Sequence, residues 1–156
     1  MPWAIAMFDI SDTPKNDAEA LLDVLIPFAE KMLRAHREFF PFGAEMSTSG
    51  KIALSSATDG SKHPESQNII DMLRMQYIRL AAAGEIKACA TIYDSRVTPP
   101  NSSVKQDAIS ALIDHRDGYS VTVFFPYTIT DGATLVVGRP FAVNRKTDVF
   151  TSSSDN

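Results

Sequence analysis

Apolar residues along this chain recur with two different periods, and the change of period marks the elements. Over residues 15–38, Leu21, Leu25, Phe28 and Met32 return at helical spacing, flanked by Leu22, Ile26, Ala29 and Leu33. The spacing predicts a first helix, introduced by "SDTPKND", where Asp12, Thr13 or Asn16 can cap its start. Pro27 lies inside the pattern and either kinks one long helix or opens a second as its first residue. Two short strands follow, about 42–48 and 51–56, joined by the tight-turn stretch "STSGK". A second helix over 64–83 carries Ile69, Ile70, Leu73, Tyr77, Leu80 and Ala81 on one stripe. Pro64 suits its first turn and Gly84 its C-terminal cap.

Beyond Gly84 the period becomes two. Ile86, Ala88, Ala90 and Ile92 fall on one face, and Lys87, Cys89, Thr91 and Tyr93 on the other. Ile109, Ala111 and Ile113 alternate with Ser110, Leu112 and Asp114. After the turn "RDGY", Tyr119, Val121, Val123 and Phe125 alternate with Ser120, Thr122 and Phe124. A second turn, "TDGA", leads to Leu135, Val136 and Val137, and "RPFAVNRKTDVF" either adds a short strand or runs along the surface. Strands joined by short turns pair antiparallel, and amphipathic helices must bury their stripes on a sheet. The expected fold is α+β: a two-layer sandwich with an antiparallel sheet of about six strands, hairpin plus meander, and two main helices on one face. In the corner "FFPF", Pro41 stops the first helix. Two of its three rings are expected in the core and one near the surface, with Phe42, which starts the strand, among the buried two.

The 156 residues suit a single domain over 1–150, followed by the polar tail "TSSSDN" at 151–156. Net charge is -4 and no Lys/Arg run exceeds two residues, which argues against a nucleic-acid partner. Cys89 is the single cysteine, so no intramolecular disulfide and no Cys-based structural zinc site can form. The N-terminal "MPWAIAMFDISD" has no basic residue ahead of its apolar run. That run, Trp3 to Phe8, is far short of the ~20 residues of a membrane span. The expectation is a soluble cytoplasmic protein with no membrane partner.

Candidate chemistry is sparse. His63-Pro64-Glu65 opens the second helix, Tyr93-Asp94-Ser95-Arg96 closes a strand, and Asp114-His115-Arg116-Asp117 precedes a turn. His115 shares a face with Ile109, Ala111 and Ile113, which favours a packed residue at the core edge. Cys89 lies between Ala88 and Ala90, a setting for a small buried thiol rather than a nucleophile. Met72 and Met75 on the second helix suit core-edge packing or an adaptable surface. No glycine-rich phosphate loop, G-x-S-x-G or H-E-x-x-H is present. The candidate ligand-binding set is His63, Glu65, Tyr93, Asp94, His115 and Arg116, with no catalytic residue, metal or cofactor assigned.

His63-Pro64-Glu65 resembles the H-x-E of zinc nucleobase deaminases, in which His binds zinc and Glu moves protons. "PFGAEM" is similar to the strand entering that site, and the likeness covers about residues 30–80. The deaminase's later P-C-x-x-C has no counterpart, because the Pro99-Pro100 loop holds no cysteine. "EFFPFGAEM", "SGKI", "AAAGEIKACA" and "DAISALIDHRDGYSVTVFFPY" together resemble a family of small bacterial α+β proteins without assigned activity. The element order is also similar to roadblock and longin-type domains, which implies a dimeric scaffold. The expected function is therefore a non-enzymatic interaction or scaffold module, self-associating as a homodimer through the sheet face bearing Tyr93, Leu112 and Phe124. The alternative is a small-ligand binder or enzyme with a pocket near His63, Glu65, Asp94 and His115. A third reading is an accessory or regulatory partner of another protein.

Overall fold

A computed structural model describes residues 13–132 and 134–150. The readings made for the N-terminal run before Thr13 and for the tail 151–156 lie outside the described residues.

Helix α1 spans Pro14–His36. Thr13 caps it: its Oγ1 accepts the Asn16 N–H at 3.1 Å, and Pro14 takes a first-turn place where no N–H is needed. Arg37 closes it in the left-handed region (φ 63), donating its N–H to the Leu33 carbonyl at 2.8 Å. Pro27 does not divide the helix. It lies on the exposed side, as does Asp23, whose carbonyl loses its N–H partner to the proline ring and can turn to water. Ala18, Leu21, Leu25, Ala29 and Leu33 form the buried stripe.

The strands are β1 (Phe42–Ser47), β2 (Ile52–Ser55), β3 (Ile86–Val97), β4 (Gln106–His115), β5 (Tyr119–Thr130), β6 (Thr134–Val137) and β7 (Phe141–Asn144). Helix α2 spans Ser66–Ala82, between β2 and β3. Every pairing is antiparallel, in the order β2-β1-β3-β4-β5-β6. β7 also pairs with β5, so β6 and β7 share one edge of that long strand. Gly138, between them, donates its N–H to the Pro126 carbonyl at 2.6 Å. The class is α+β, as the alternation predicts; the sheet has seven strands rather than about six, because the last segment supplies β7.

The layering differs from the expectation. Ala44 and Met46 of β1, Ala88, Ala90 and Ile92 of β3, and Ile109, Ala111 and Ile113 of β4 pack with α1 in one core. Ile86 and Cys89 pack with Ile69, Leu73 and Tyr77 of α2 and with Val149 and Phe150 in another. Ala90 and Cys89 are adjacent on one strand and point to opposite faces. The two helices therefore cover opposite faces, giving three layers instead of two. The physical reason is that β3 is apolar or small on both faces. Cys89 and Thr91, on the face read as half-polar, are small enough for a helix to lie against them.

A bulge makes a second correction. Met46 pairs with Ala88 but Ser47 with Ile86, leaving Lys87 as the extra residue. Ile86 therefore leaves the face of Ala88 and joins the α2 core, while Lys87 reaches Asp17 of α1. In the corner after α1, Phe39 is buried, Phe42 half-buried and Phe40 exposed. Two rings meet the core, as expected, but Phe42 is only half-buried and Phe39 is the more fully covered of the two. Phe42 sits at the end of the sheet, edge-on to Phe39 (5.8 Å) and to Phe28 (6.4 Å), and Phe28 is itself partly exposed.

Gly43 on β1 shows how closely α2 approaches the sheet. A methyl group there would collide with the Ala90 carbonyl oxygen and the Tyr77 hydroxyl. Gly43→Ala is expected to destabilise the protein by about 2 kcal/mol or more, the scale of an overpacked core. Urea unfolding checks this; an unchanged midpoint would show that α2 can move off the sheet.

Candidate functional site

The face of the sheet under α2 is built by register. Cys89 pairs with Asp114 and Thr91 with Leu112, and Tyr93 lies two residues further along β3. From α2, Gln67, Ile70, Arg74 and Tyr77 project over this face at alternating spacings of three and four. The chain leaving β7 returns alongside, bringing Arg145, Asp148 and Val149. The three elements enclose a cleft of about 170 Å³ that opens to solvent.

Its polar wall is organised by Asp114. That carboxylate is buried and accepts from Arg145 Nη2 at 2.8 Å and from Ser120 Oγ at 2.7 Å. Arg145 Nη1 donates to Ser120 Oγ (3.2 Å) and to the Lys146 carbonyl (3.1 Å). Arg145 Nε is buried and has no hydrogen-bond partner among the described residues. Arg74 stands at the rim, with Nη2 on Asp71 Oδ1 at 3.3 Å. Asp148 lies between the two guanidiniums, 3.5 Å from Arg74 Nη1 and 3.7 Å from Arg145 Nη1.

The remaining groups are neutral donors. Burial pushes the Cys89 thiol well up, and nearby Asp114 adds to this, so it stays protonated. Burial likewise raises the Tyr77 hydroxyl, which donates to the Ala90 carbonyl at 3.4 Å. Tyr93 is raised by burial, opposed by a bond with Ser110 and by Arg145. The cleft thus offers two guanidiniums and neutral donors, together with the carboxylates of Asp114 and Asp148, against apolar walls.

Of the candidate ligand-binding set, Tyr93 lies in this cleft, beside Cys89 and Asp114, which the sequence also singled out. His63 and Glu65 are exposed on the approach to α2, with the His63 N–H on Ser61 Oγ at 3.1 Å. Arg116 is exposed at the end of β4, its N–H bonded to the Lys87 carbonyl. Asp94 and His115 both face α1, but Asp94 pairs with Ile109, six residues from His115 along β4, or about 20 Å. The structure does not bring His63, Glu65, Asp94 and His115 to one pocket.

His115 is 2% exposed. Its Nδ1 accepts the Asp117 N–H at 3.1 Å, so Nε2 carries the proton and donates to Asp17 Oδ2 at 2.7 Å. Lys87 Nζ stands 3.4 Å from the same oxygen. This sealed cluster ties the first turn of α1 to β3 and β4 and is closed to a substrate. Arg74, Arg145 and Asp148 drew no attention in the sequence, because no motif links them. Asp114 did, within the charged run before the turn, and strand alternation already separates it from His115.

Among the described residues, no group of three or more His, Cys, Asp or Glu is placed to hold a metal ion. No described helix is long and apolar enough to cross a membrane. No family model, no curated protein and no solved structure matches this chain.

Asp94 gives a pH-dependent test on the opposite face. Burial raises its carboxyl above the usual carboxylate range, and Tyr127, donating to it at 2.7 Å, only partly offsets this. A raised carboxyl binds its proton more tightly folded than unfolded, so its contribution to stability falls as pH rises through that range. Asp94→Asn keeps an acceptor for Tyr127 and removes the charge. It is expected to be more stable than wild type at neutral pH, with the gap closing toward acid. Urea unfolding across that window checks it; a gap independent of pH would contradict the assignment.

Proposed function

We propose that this protein is a small-ligand-binding domain whose site is the cleft between α2, the sheet and the segment following β7. The observation that carries this reading is Arg145. Its guanidinium is fixed by buried Asp114 and lines the wall of an open cleft, where a second guanidinium, Arg74, also stands. Two guanidiniums lining one cleft are a ready anchor for an acceptor on a bound molecule. Ile70, Leu112 and the Tyr93 ring supply apolar walls, as small-molecule sites do. The volume matches a ligand of about one six-membered ring, since a cavity of about 150 Å³ accommodates benzene. The single free cysteine suits the cytoplasm.

The test is a titration of monocyclic acceptor-bearing compounds, beginning with benzoate and benzamide, followed by calorimetry and amide shifts. The expected result is shifts centred on Ile70, Tyr93 and Leu112. Ile70→Trp, which fills the mouth from a half-buried position, is expected to weaken binding by about tenfold or more. Shifts confined to other surfaces, or none with either compound, would sink the reading.

A second reading, a homodimer, is favoured by the edge strand β2. Part of the face first expected to mediate dimerisation is covered by α2 and by Val149 and Phe150. β2 has a partner on one side only among the described residues. It carries no charge or proline, and Leu54 is 52% exposed. The opposite edge is interrupted by Gly138, Arg139 and Pro140 between β6 and β7, devices that discourage pairing. Ser47 N–H bonds the Lys51 carbonyl, so by alternation the backbone groups of Ile52 and Leu54 point outward. Antiparallel pairing of β2 with β2 of a second copy would satisfy them and is self-complementary. Light scattering is expected to give twice 17.1 kDa for the wild type and 17.1 kDa for Leu54→Pro, which removes only an outward N–H. A monomeric wild type, or a dimeric Leu54→Pro, removes this reading.

A further inference from the structure

The cleft already holds a carboxylate, and its fit is poor. Asp148 stands 3.5 Å from Arg74 Nη1 and 3.7 Å from Arg145 Nη1, beyond the ~2.7–2.9 Å of a charge-assisted hydrogen bond. Its side chain is 49% exposed. Nothing in the backbone obliges it to stay. The neighbouring turn is held by Thr147, whose Oγ1 accepts the N–H groups of Val149 (3.3 Å) and Phe150 (3.1 Å). Val149 and Phe150 are themselves buried in the α2 core. Asp148 can therefore swing into solvent while the segment remains docked.

From this we infer the ligand class: a small ring or short apolar body bearing one carboxylate, which takes the place of Asp148 between Arg74 and Arg145. The inference rests on the ligand-binding reading and adds the identity of the anchoring group. A carboxylate is flat and offers two acceptor oxygens, which suits two guanidiniums on adjacent walls. The other two carboxylates already have partners of their own. Asp114 is committed to Arg145 and Ser120, and Asp71 to Arg74 and Gln67. With Asp148 turned out, an incoming carboxylate restores the same balance of two cations and three anions around the cleft. The apolar part then rests against Ile70, Leu112 and the face of Tyr93.

Asp148 acts as a tethered competitor. A group attached to the chain is present at an effective concentration in the millimolar range, so it weakens a free carboxylate without any change of shape. It also sets specificity, because a neutral ligand gains nothing from displacing it.

The experiment compares benzoate with benzamide on three proteins: wild type, Asp148→Asn and Arg74→Ala. Each substitution is at an exposed side chain, and circular dichroism confirms that the fold is kept. Benzoate is expected to bind Asp148→Asn about tenfold more tightly than wild type, while benzamide changes little. Arg74→Ala is expected to weaken benzoate and leave benzamide nearly unaffected. If benzamide binds the cleft as well as benzoate does in all three proteins, the site stands and the carboxylate assignment falls. If Asp148→Asn leaves benzoate unchanged or weaker, the competitor role falls. If neither compound binds any of the three, the ligand reading falls with it.

Discussion

Residues Ile86–Ile92 of β3 are buried on both faces of the sheet, and a strand in that position has to be covered twice. One cover is α1, whose stripe meets the alanines and isoleucines of β1, β3 and β4. The other is α2, which approaches closely enough for Tyr77 to bond the Ala90 carbonyl and to require glycine at position 43. α2 alone does not reach across β4. The segment after β7 completes the cover, with Val149 and Phe150 joining the α2 core. The cleft is the gap left between these two covers, so its position follows from the need to bury β3.

The other ordering element is a buried charge. Asp17, Lys87 and His115 are each less than a tenth exposed and meet at one carboxylate oxygen. Ion pairs of this kind gain little over a well-packed apolar group, but losing one partner strands the others and costs roughly 3–5 kcal/mol. Their geometry also depends on the register. His115 can reach Asp17 only with β4 in its present register, and Lys87 can reach it only because the bulge turns it toward α1. A slip of one residue would send both side chains to the wrong face.

Much of this was readable from periodicity. The two helices, the hairpin, and the Asp-Gly turns at Gly118 and Gly132 all appear where the spacing of apolar residues puts them. The bulge at Lys87 was not readable, because alternation through Ile86, Ala88, Ala90 and Ile92 looks unbroken and the extra residue shows only in the pairing with β1. The placement of α2 was missed for a related reason. Cys89 and Thr91 look like a half-polar outer face, but they are small, and small residues admit a helix as readily as water. The cleft was least legible. Tyr93 and Asp114 were visible at strand ends, yet Arg74 and Arg145 are 71 residues apart and carry no motif. Only the return of the chain after β7 brings them together.

Arg145 is where fold and site become the same problem. The end of β7 must be tied down for Val149 and Phe150 to reach the α2 core, and the bond to buried Asp114 does this. Asp114 is buried and bonded to Arg145, so the strand and the segment hold each other in place. A guanidinium has five N–H groups, and this one cannot satisfy them all from a single wall. Its Nε–H is buried without a partner among the described residues, and the cleft that Arg145 lines contains a second arginine and a loosely held carboxylate. A structure concerned only with closing its core would be served as well by an apolar contact at this point. Arg145 therefore ties the core together and lines the cleft at the same time.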